Sequence, residues 1–538
     1  MIGSLKPCYS ANEGMQMSYE QPWKPYREHD TVLIVNFGGQ YTHLIARRIR
    51  ELNVYSEIVH HFQLSRDVIS EVRPKAIILS GGPSSVYSEN APRAPPWIVE
   101  LGVPVLGICY GHQLLASMLG GSVKRGVGEY GRVTIRIVKR DPLFSGWGDR
   151  EDVWMSHSDY VEELPSDLEV LAMSEDTGYI AAFKHRSKPI YGVQFHPEVA
   201  HTPKGRILLK NFVVDIAGCR QTWRIENLVE KLVDQVRKTV PSNEKVLCAV
   251  SGGIDSTVTA LIVKKAVGDR LVTVFVNHGL LREGEAEEIL TNLRRVGIDP
   301  IYIDASQRFL SRLRGVSDPE EKRRIIGEEF VKIFEEVARR DPAIKWLAQG
   351  TTYPDVIESG AVPGADRIKS HHNVGGLPHS MGLRIVEPIR YLYKDEVRRL
   401  GLALGLPKEI VFRHPFPGPG LAVRIIGEVT EEKLSIVRRA SKIVEEELRK
   451  AGIYEKVWQA FAVVGNDKWV GVKGDARVEG YIVIVRVVSS EDGMTADWVR
   501  IPYDVLDKIA RRITSEIPRV SMVAYAITTK PPATIEPC

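Results

Sequence analysis

The chain has 538 residues, far more than one hydrophobic core holds, so three or four domains are expected. Basic and acidic residues nearly cancel (72 against 68), and the net charge of +4 gives no bulk case for a nucleic-acid partner. No apolar run nears the ~18 residues of a membrane helix, and five scattered cysteines fit neither a disulfide frame nor a zinc site. A cytoplasmic protein with no membrane partner is therefore expected.

Residues 1–29 are polar and lack the basic-then-apolar pattern of a signal peptide. They read as a loose extension in which Met15 and Met17 offer alternative starts. From Thr31 to about Cys219, apolar strand candidates (Val32–Val35, Ala76–Leu79, Val103–Leu106, Ile190–Val193) alternate with helical spacing such as Tyr41–Leu52. That alternation predicts an α/β domain over 30–220, doubly wound on a mostly parallel sheet. Ser80-Gly81-Gly82-Pro83 follows a strand directly and is expected as a tight loop at its carboxyl end, where α/β sites form.

Val105 to Gln113 reads as a strand, a small-residue turn carrying Cys109, and a helix from His112. This is the sulfur form of a nucleophile elbow. Gly107 and Gly111 permit strained dihedrals, and the helix points its positive end at the sulfur. Gln194-Phe195-His196-Pro197-Glu198 supplies an imidazole base and a carboxylate to orient it. In this reading Cys109 attacks a carboxamide, His196 shuttles the proton and Glu198 fixes the tautomer. The backbone N–H groups of Tyr110 and Gly82 are the expected oxyanion donors. The other four cysteines read as small hydrophobes.

The same α/β grammar restarts over 221–413, with Gln221–Asn243 as entry helix and linker. Val246–Val250 is a strand, Ser251–Ser256 a loop, Thr257–Val267 a helix and Leu271–Val276 the next strand. In Ser251-Gly252-Gly253-Ile254-Asp255-Ser256-Thr257 two glycines let backbone N–H groups converge on an anion, with hydroxyls and a helix N-terminus completing a phosphate cradle. It lacks the Gly-Lys-Ser/Thr ending of a Walker loop. Lys369, in a glycine-flanked, histidine-rich stretch, adds a cation suited to phosphate. At His414 a Pro/Gly-rich hinge opens a smaller α+β segment over 414–538, with an amphipathic helix at Thr430–Ala451 and strands such as Gly480–Val488.

Gly-Ile-Cys-Tyr-Gly-His-Gln, Ser-Gly-Gly-Pro and Phe-His-Pro-Glu resemble the class I glutamine amidotransferases, which implies hydrolysis of glutamine with release of ammonia, and glutamine binding by Gln113. The Ser-Gly-Gly-x-Asp-Ser string resembles the PP-loop of ATP pyrophosphatases. That implies ATP, as co-substrate, bound by residues 251–257 and Lys369 and cleaved between its α- and β-phosphates, with Asp255 holding Mg²⁺. The order of both, with His278-Gly279-Leu280-Leu281-Arg282, His414–Arg424 and the closing Lys530-Pro531-Pro532-Ala533-Thr534-Ile535-Glu536, resembles the glutamine-hydrolysing GMP synthase family. The resemblance implies amination of XMP to GMP through an adenylyl-XMP intermediate. It also implies XMP contacts from Arg323, Gln459, Lys530 and Glu536 with Pro417 and Gly418 close by, and a homodimer built by the third segment. Ammonia has to cross between domains, so coupling through closure or a channel is expected.

Asn36 and Asn277 stand where that family usually has Asp, and Met522 and Ala526 replace an Arg and an Asp near the end. Two alternatives remain open on sequence: another amidotransferase–PP-loop ligase with a different acceptor, and a purine sensor that keeps the fold without catalysis.

Overall fold

The computed structural model describes residues 23–359, 382–490, 493 and 495–538. Lys369 and the stretch around it lie outside the described residues.

The first segment is built on one nine-stranded sheet. Its strands are β1 (Thr31–Asn36), β2 (Tyr55–His60), β3 (Ala76–Leu79), β4 (Val105–Ile108), β5 (Ser122–Ile137), β6 (Arg150–Glu163), β7 (Leu168–Ser174), β8 (Ile180–His185) and β9 (Ile190–Val193). They lie in the order β2-β1-β3-β4-β9-β8-β7-β5-β6. From β2 to β9 every pairing is parallel, and β1, β3 and β4 are buried along almost their whole length, as a sheet covered on both faces requires. From β9 to β6 every pairing is antiparallel. The sequence reading missed that half. Its long hairpin β5–β6 alternates buried with exposed charged residues, so it carries no continuous apolar run.

Two helices matter here, α1 (Thr42–Arg50) and α2 (Tyr110–Met118). The chain leaves β1 toward β2 on one side and later returns to β3 on the other. The loops after β1 and β3 therefore diverge at a topological switch point, where an α/β crevice opens.

Helix α3 (Val229–Thr239) leads into the second sheet: β10 (Lys245–Ala249), β11 (Leu271–Asn277), β12 (Ile301–Asp304), β13 (Ile344–Ala348) and β14 (Arg384–Val386). All four pairings are parallel in the order β12-β11-β10-β13-β14, which puts the switch point at the carboxyl end of β10. Its helices include α4 (Ile254–Val267), α5 (Pro319–Arg340), α6 (Tyr353–Ser359) and α7 (Lys394–Ala403). The third segment packs α8 (Glu431–Lys450) against a sheet of β15 (Gln459–Lys473), β16 (Ala476–Ser489), β17 (Asp497–Trp498) and β18 (Val520–Tyr525). One apolar cluster joins Leu247 and Val274 of the second sheet to Leu434 and Val485 of the third segment, so their core is continuous across the His414 hinge.

The last residues of the expected loose extension are packed. Trp23 is buried and stacks on Trp223 at 6.2 Å, and Lys24 and Tyr26 both bond Glu71, at 2.6 and 2.8 Å. A single tryptophan in a polar stretch gives no periodicity to read. Among the described residues no helix is long and apolar enough to cross a membrane.

Candidate active sites

Cys109 stands between β4 and α2 with φ 53° and ψ −105°, a left-handed backbone that a non-glycine residue adopts only when its surroundings enforce it. The turn is close enough that a Cβ on Gly107 would lie 2.3 Å from Gly111 O, and one on Gly111 would lie 2.2 Å from Leu79 O. Glycine is required at both. Because the cysteine itself takes the turn, the helix starts at Tyr110, two residues before the sequence reading has it.

His196 Nδ1 hydrogen-bonds Glu198 Oε1 at 2.7 Å in a nearly dry site, with His196 5% and Glu198 1% exposed. Burial opposes charge on this ring, but the Glu198 carboxylate and the Cys109 sulfur beside it win, holding its pKa well above the usual histidine range. Gly81 lies against both groups: a Cβ there would sit 3.4 Å from His196 Cε1 and 3.7 Å from Cys109 Cβ. Cys109, His196, Glu198 and the Ser80–Pro83 loop thus meet, as the sequence predicts. Among the described residues no group accepts from the N–H of Tyr110 or Gly82. Gly82 is also close to Tyr110, its Cβ position being 3.4 Å from the ring.

Gln113 is buried and donates Nε2 to Asp159 O at 2.7 Å. Here the overlooked strand β6 enters the site. Ser156 O lies 3.8 Å from Cys109 Sγ, and Asp159 accepts from Tyr87 Oη at 2.9 Å. The ring of Tyr41 packs edge-on against His196 at 5.1 Å. No local sequence signal joins Met155-Ser156-His157-Ser158-Asp159 to the cysteine; only the strand order does.

The phosphate-cradle residues sit at the second switch point. Gly252 has φ +76°, and Gly253 is the N-cap of α4, its carbonyl accepting from Thr257 N at 3.1 Å. The helix therefore begins at Ile254 rather than Thr257, which places Asp255 and Ser256 in its first turn. Ser251 Oγ and Ser256 Oγ are 3.1 Å apart, drawing the loop around the helix end. Asp255 Oδ2 pairs with Lys394 of α7, while Oδ1 is buried with no hydrogen-bond partner. Lys394 was not read from sequence. The signal available is only a charged triplet, Lys394-Asp395-Glu396, opening a helix.

The residues tied to XMP by resemblance fall into one neighbourhood in part. Gln459 Nε2 donates to Glu536 Oε1 at 2.6 Å and to Pro415 O at 3.0 Å, joining the tail to the loop that carries Pro417 and Gly418. Arg323 of α5 donates to Cys538 O at 2.6 Å. Lys530 Nζ donates to Gly493 O at 2.7 Å, and its backbone pairs with Ala496. The two asparagines keep the acceptor oxygen an aspartate would offer: Asn36 Oδ1 accepts from Gly38 N at 2.8 Å, and Asn277 Oδ1 from Gly279 N at 3.0 Å.

Three family models match in chain order: Glutamine amidotransferase class-I over residues 33–216, NAD synthase over 224–322, and GMP synthase C terminal domain over 446–537. The chain is 61% identical to the GMP synthase (glutamine-hydrolyzing) of Pyrobaculum aerophilum, covering 95% of this chain and all of that one. It is 53% identical to the protein of that name from Carboxydothermus hydrogenoformans, over 94% of this chain and 99% of the relative. The Aquifex aeolicus protein of that name is 52% identical with the same coverage. With an elbow cysteine beside a His–Glu pair, a glycine-built phosphate loop, and relatives of this identity spanning nearly its whole length, the chain belongs to the glutamine-hydrolyzing GMP synthase family.

Proposed function

We infer that this chain is a carbon–nitrogen ligase that converts XMP, ATP, glutamine and water to GMP, AMP, pyrophosphate and glutamate. The observation carrying the reading is the left-handed Cys109 beside the buried His196–Glu198 pair, with two unused backbone donors next to it.

Cys109 Sγ attacks the glutamine carboxamide carbon. Tyr110 N–H and Gly82 N–H receive the oxyanion, each such donor typically contributing ~3 kcal/mol. The C–N bond breaks as the His196 imidazolium gives its proton to the leaving ammonia. Water, deprotonated by the neutral imidazole, then cleaves the thioester to glutamate and restores the cysteine. Glu198 holds the ring in one tautomer throughout, and Gln113 binds the glutamine.

At the second site residues 251–257, with Lys369, bind the ATP phosphates, and the XMP O2 attacks the α-phosphate to release pyrophosphate. Ammonia adds at purine C2 and AMP leaves. Mg²⁺ fits Asp255, whose Oδ1 is a buried carboxylate oxygen with no hydrogen-bond partner, a hard donor suited to that ion. The ion would neutralise phosphate charge. Arg323, Gln459, Lys530 and Glu536, with Pro417 and Gly418, form the XMP site.

The reading includes a cytoplasmic location and a homodimer. Near the tip of the β15–β16 hairpin Val470 and Val472 are exposed on one face and Trp469 on the other, apolar side chains a second copy would cover. The test is GMP synthesis with glutamine or ammonia as the nitrogen source. Cys109→Ala is expected to abolish the first and leave the second within about twofold, because the nucleophile serves only ammonia supply. Asp255→Ala is expected to remove both. Loss of ammonia-dependent synthesis in folded Cys109→Ala would sink the two-site reading.

A further inference from the structure

After β18 the chain runs to its end with a single bridge at Lys530, so its backbone carbonyls need other partners. Arg486 of β16, 6% exposed, supplies three: it donates to Thr528 O at 3.0 Å, Thr534 O at 2.9 Å and Ile535 O at 3.0 Å. One guanidinium thus ties both ends of a strap whose next residue is Glu536. The Glu536 side chain is held just as firmly. Arg424, wholly buried, sends Nε to Oε2 at 3.1 Å and Nη2 to Oε1 at 3.0 Å, and Gln459 adds its amide to Oε1. The fork packs over Phe461 at 4.2 Å and Phe416 at 5.3 Å.

A buried ion pair is weak support for stability, since well-packed apolar residues of similar volume often do as well. Here the fork even leaves its third nitrogen, Nη1, buried without an acceptor. What a two-pronged guanidinium supplies, and an apolar residue does not, is a fixed carboxylate plane. We propose that Arg424 is a positioning residue for purine recognition, presenting the Glu536 carboxylate in one orientation so that the remaining lone pair, on Oε2, meets an N–H of the xanthine ring. This rests on the reading of Glu536 as an XMP contact. Arg486 fixes the backbone beneath it, so the acceptor is set before substrate arrives, which lowers the ordering cost of binding.

The experiment is a double-mutant cycle on the full-length enzyme, with ammonia as nitrogen source and KM for XMP and ATP read separately. Arg424→Lys keeps the charge and loses the fork. It is expected to raise KM for XMP about tenfold with KM for ATP within about twofold, and to add less than about twofold in a Glu536→Ala background. An equal rise with Glu536 already removed overturns the proposal, as does a fall in kcat or thermal midpoint with KM for XMP unchanged. If Glu536→Ala itself leaves KM for XMP unchanged, the contact reading fails and the proposal with it. If Glu536→Ala raises it and Arg424→Lys does not, only the proposal fails. Should Arg424→Lys not fold, Arg424→Gln takes its place in the same cycle.

Discussion

At the scale of single residues, environment decides which of several similar groups does chemistry. His112 is fully buried, and burial pulls its pKa down to about 3, so it is a neutral core ring. Cys219 and Cys248 are thiols that burial pushes up to about 12, inert as the sequence suggests. His196 is buried too, yet Glu198 and Cys109 raise it. A raised imidazolium stays a proton donor to higher pH, so the basic limb of the glutaminase pH profile should lie above the ~6.5 of an ordinary histidine. Glu198→Gln removes the stabilising charge. The expected outcome is a basic limb moved to lower pH and a fall in glutaminase kcat of about a hundredfold or more; an unmoved limb in steady-state profiles would refute the assignment. The sign for stability is the same. A raised folded value means the contribution is full below about pH 6.5 and fades as pH climbs through the folded pKa.

At the scale of elements, the strand–turn–helix units were legible because apolar period and glycine spacing are local properties. Their boundaries moved where the turn chemistry is tertiary. Cys109 takes its left-handed φ in a turn whose Gly111 lies against Leu79 of the neighbouring strand β3. Gly111→Ala would drive a Cβ into that carbonyl. It is expected to cost roughly 1–3 kcal/mol, the range for forcing a close-packed site, and to cut glutaminase activity while sparing ammonia-dependent synthesis. Calorimetry with the two nitrogen sources checks this; a variant with wild-type glutaminase and melting would show that the elbow tolerates bulk. The β5–β6 hairpin is the opposite case. Its alternating charged residues read as surface, and only its place in the sheet brings Ser156 and Asp159 to Cys109 and Gln113.

At the scale of the whole molecule, the two catalytic segments are joined by charge. Helix α1 begins beside Tyr41, whose ring lies on His196, and its Arg47 and Arg50 pair with Asp395 at 3.4 Å and Glu396 at 2.8 Å on α7. The adjacent Lys394 pairs with Asp255 of the phosphate loop. Arg50 is 3% exposed and ringed by Tyr55, Trp223, Tyr353 and Tyr393, with centroids between 4.6 and 5.4 Å. Removing one partner of such a pair typically costs about 3–5 kcal/mol, because the other charge stays buried alone. Arg50→Met is therefore expected to lower the thermal midpoint measured by calorimetry. A variant with unchanged melting would show that this junction carries no such stabilisation.

The sequence by itself determined the α/β character of the first two segments, the elbow cysteine with its His–Glu partners, and the phosphate loop. The elbow turn, the His–Glu pair and the phosphate loop are each built from residues close in the chain, whose spacing fixes their local geometry; that Cys109 meets a pair some ninety residues on is tertiary. The tertiary structure alone decided that Lys394 meets Asp255, that Asp159 lies against Gln113, and that Arg424 grips Glu536. Those partners are 139, 46 and 112 residues apart. Contacts at such separations follow from strand order and the burial of unlike charges together, which no local pattern encodes.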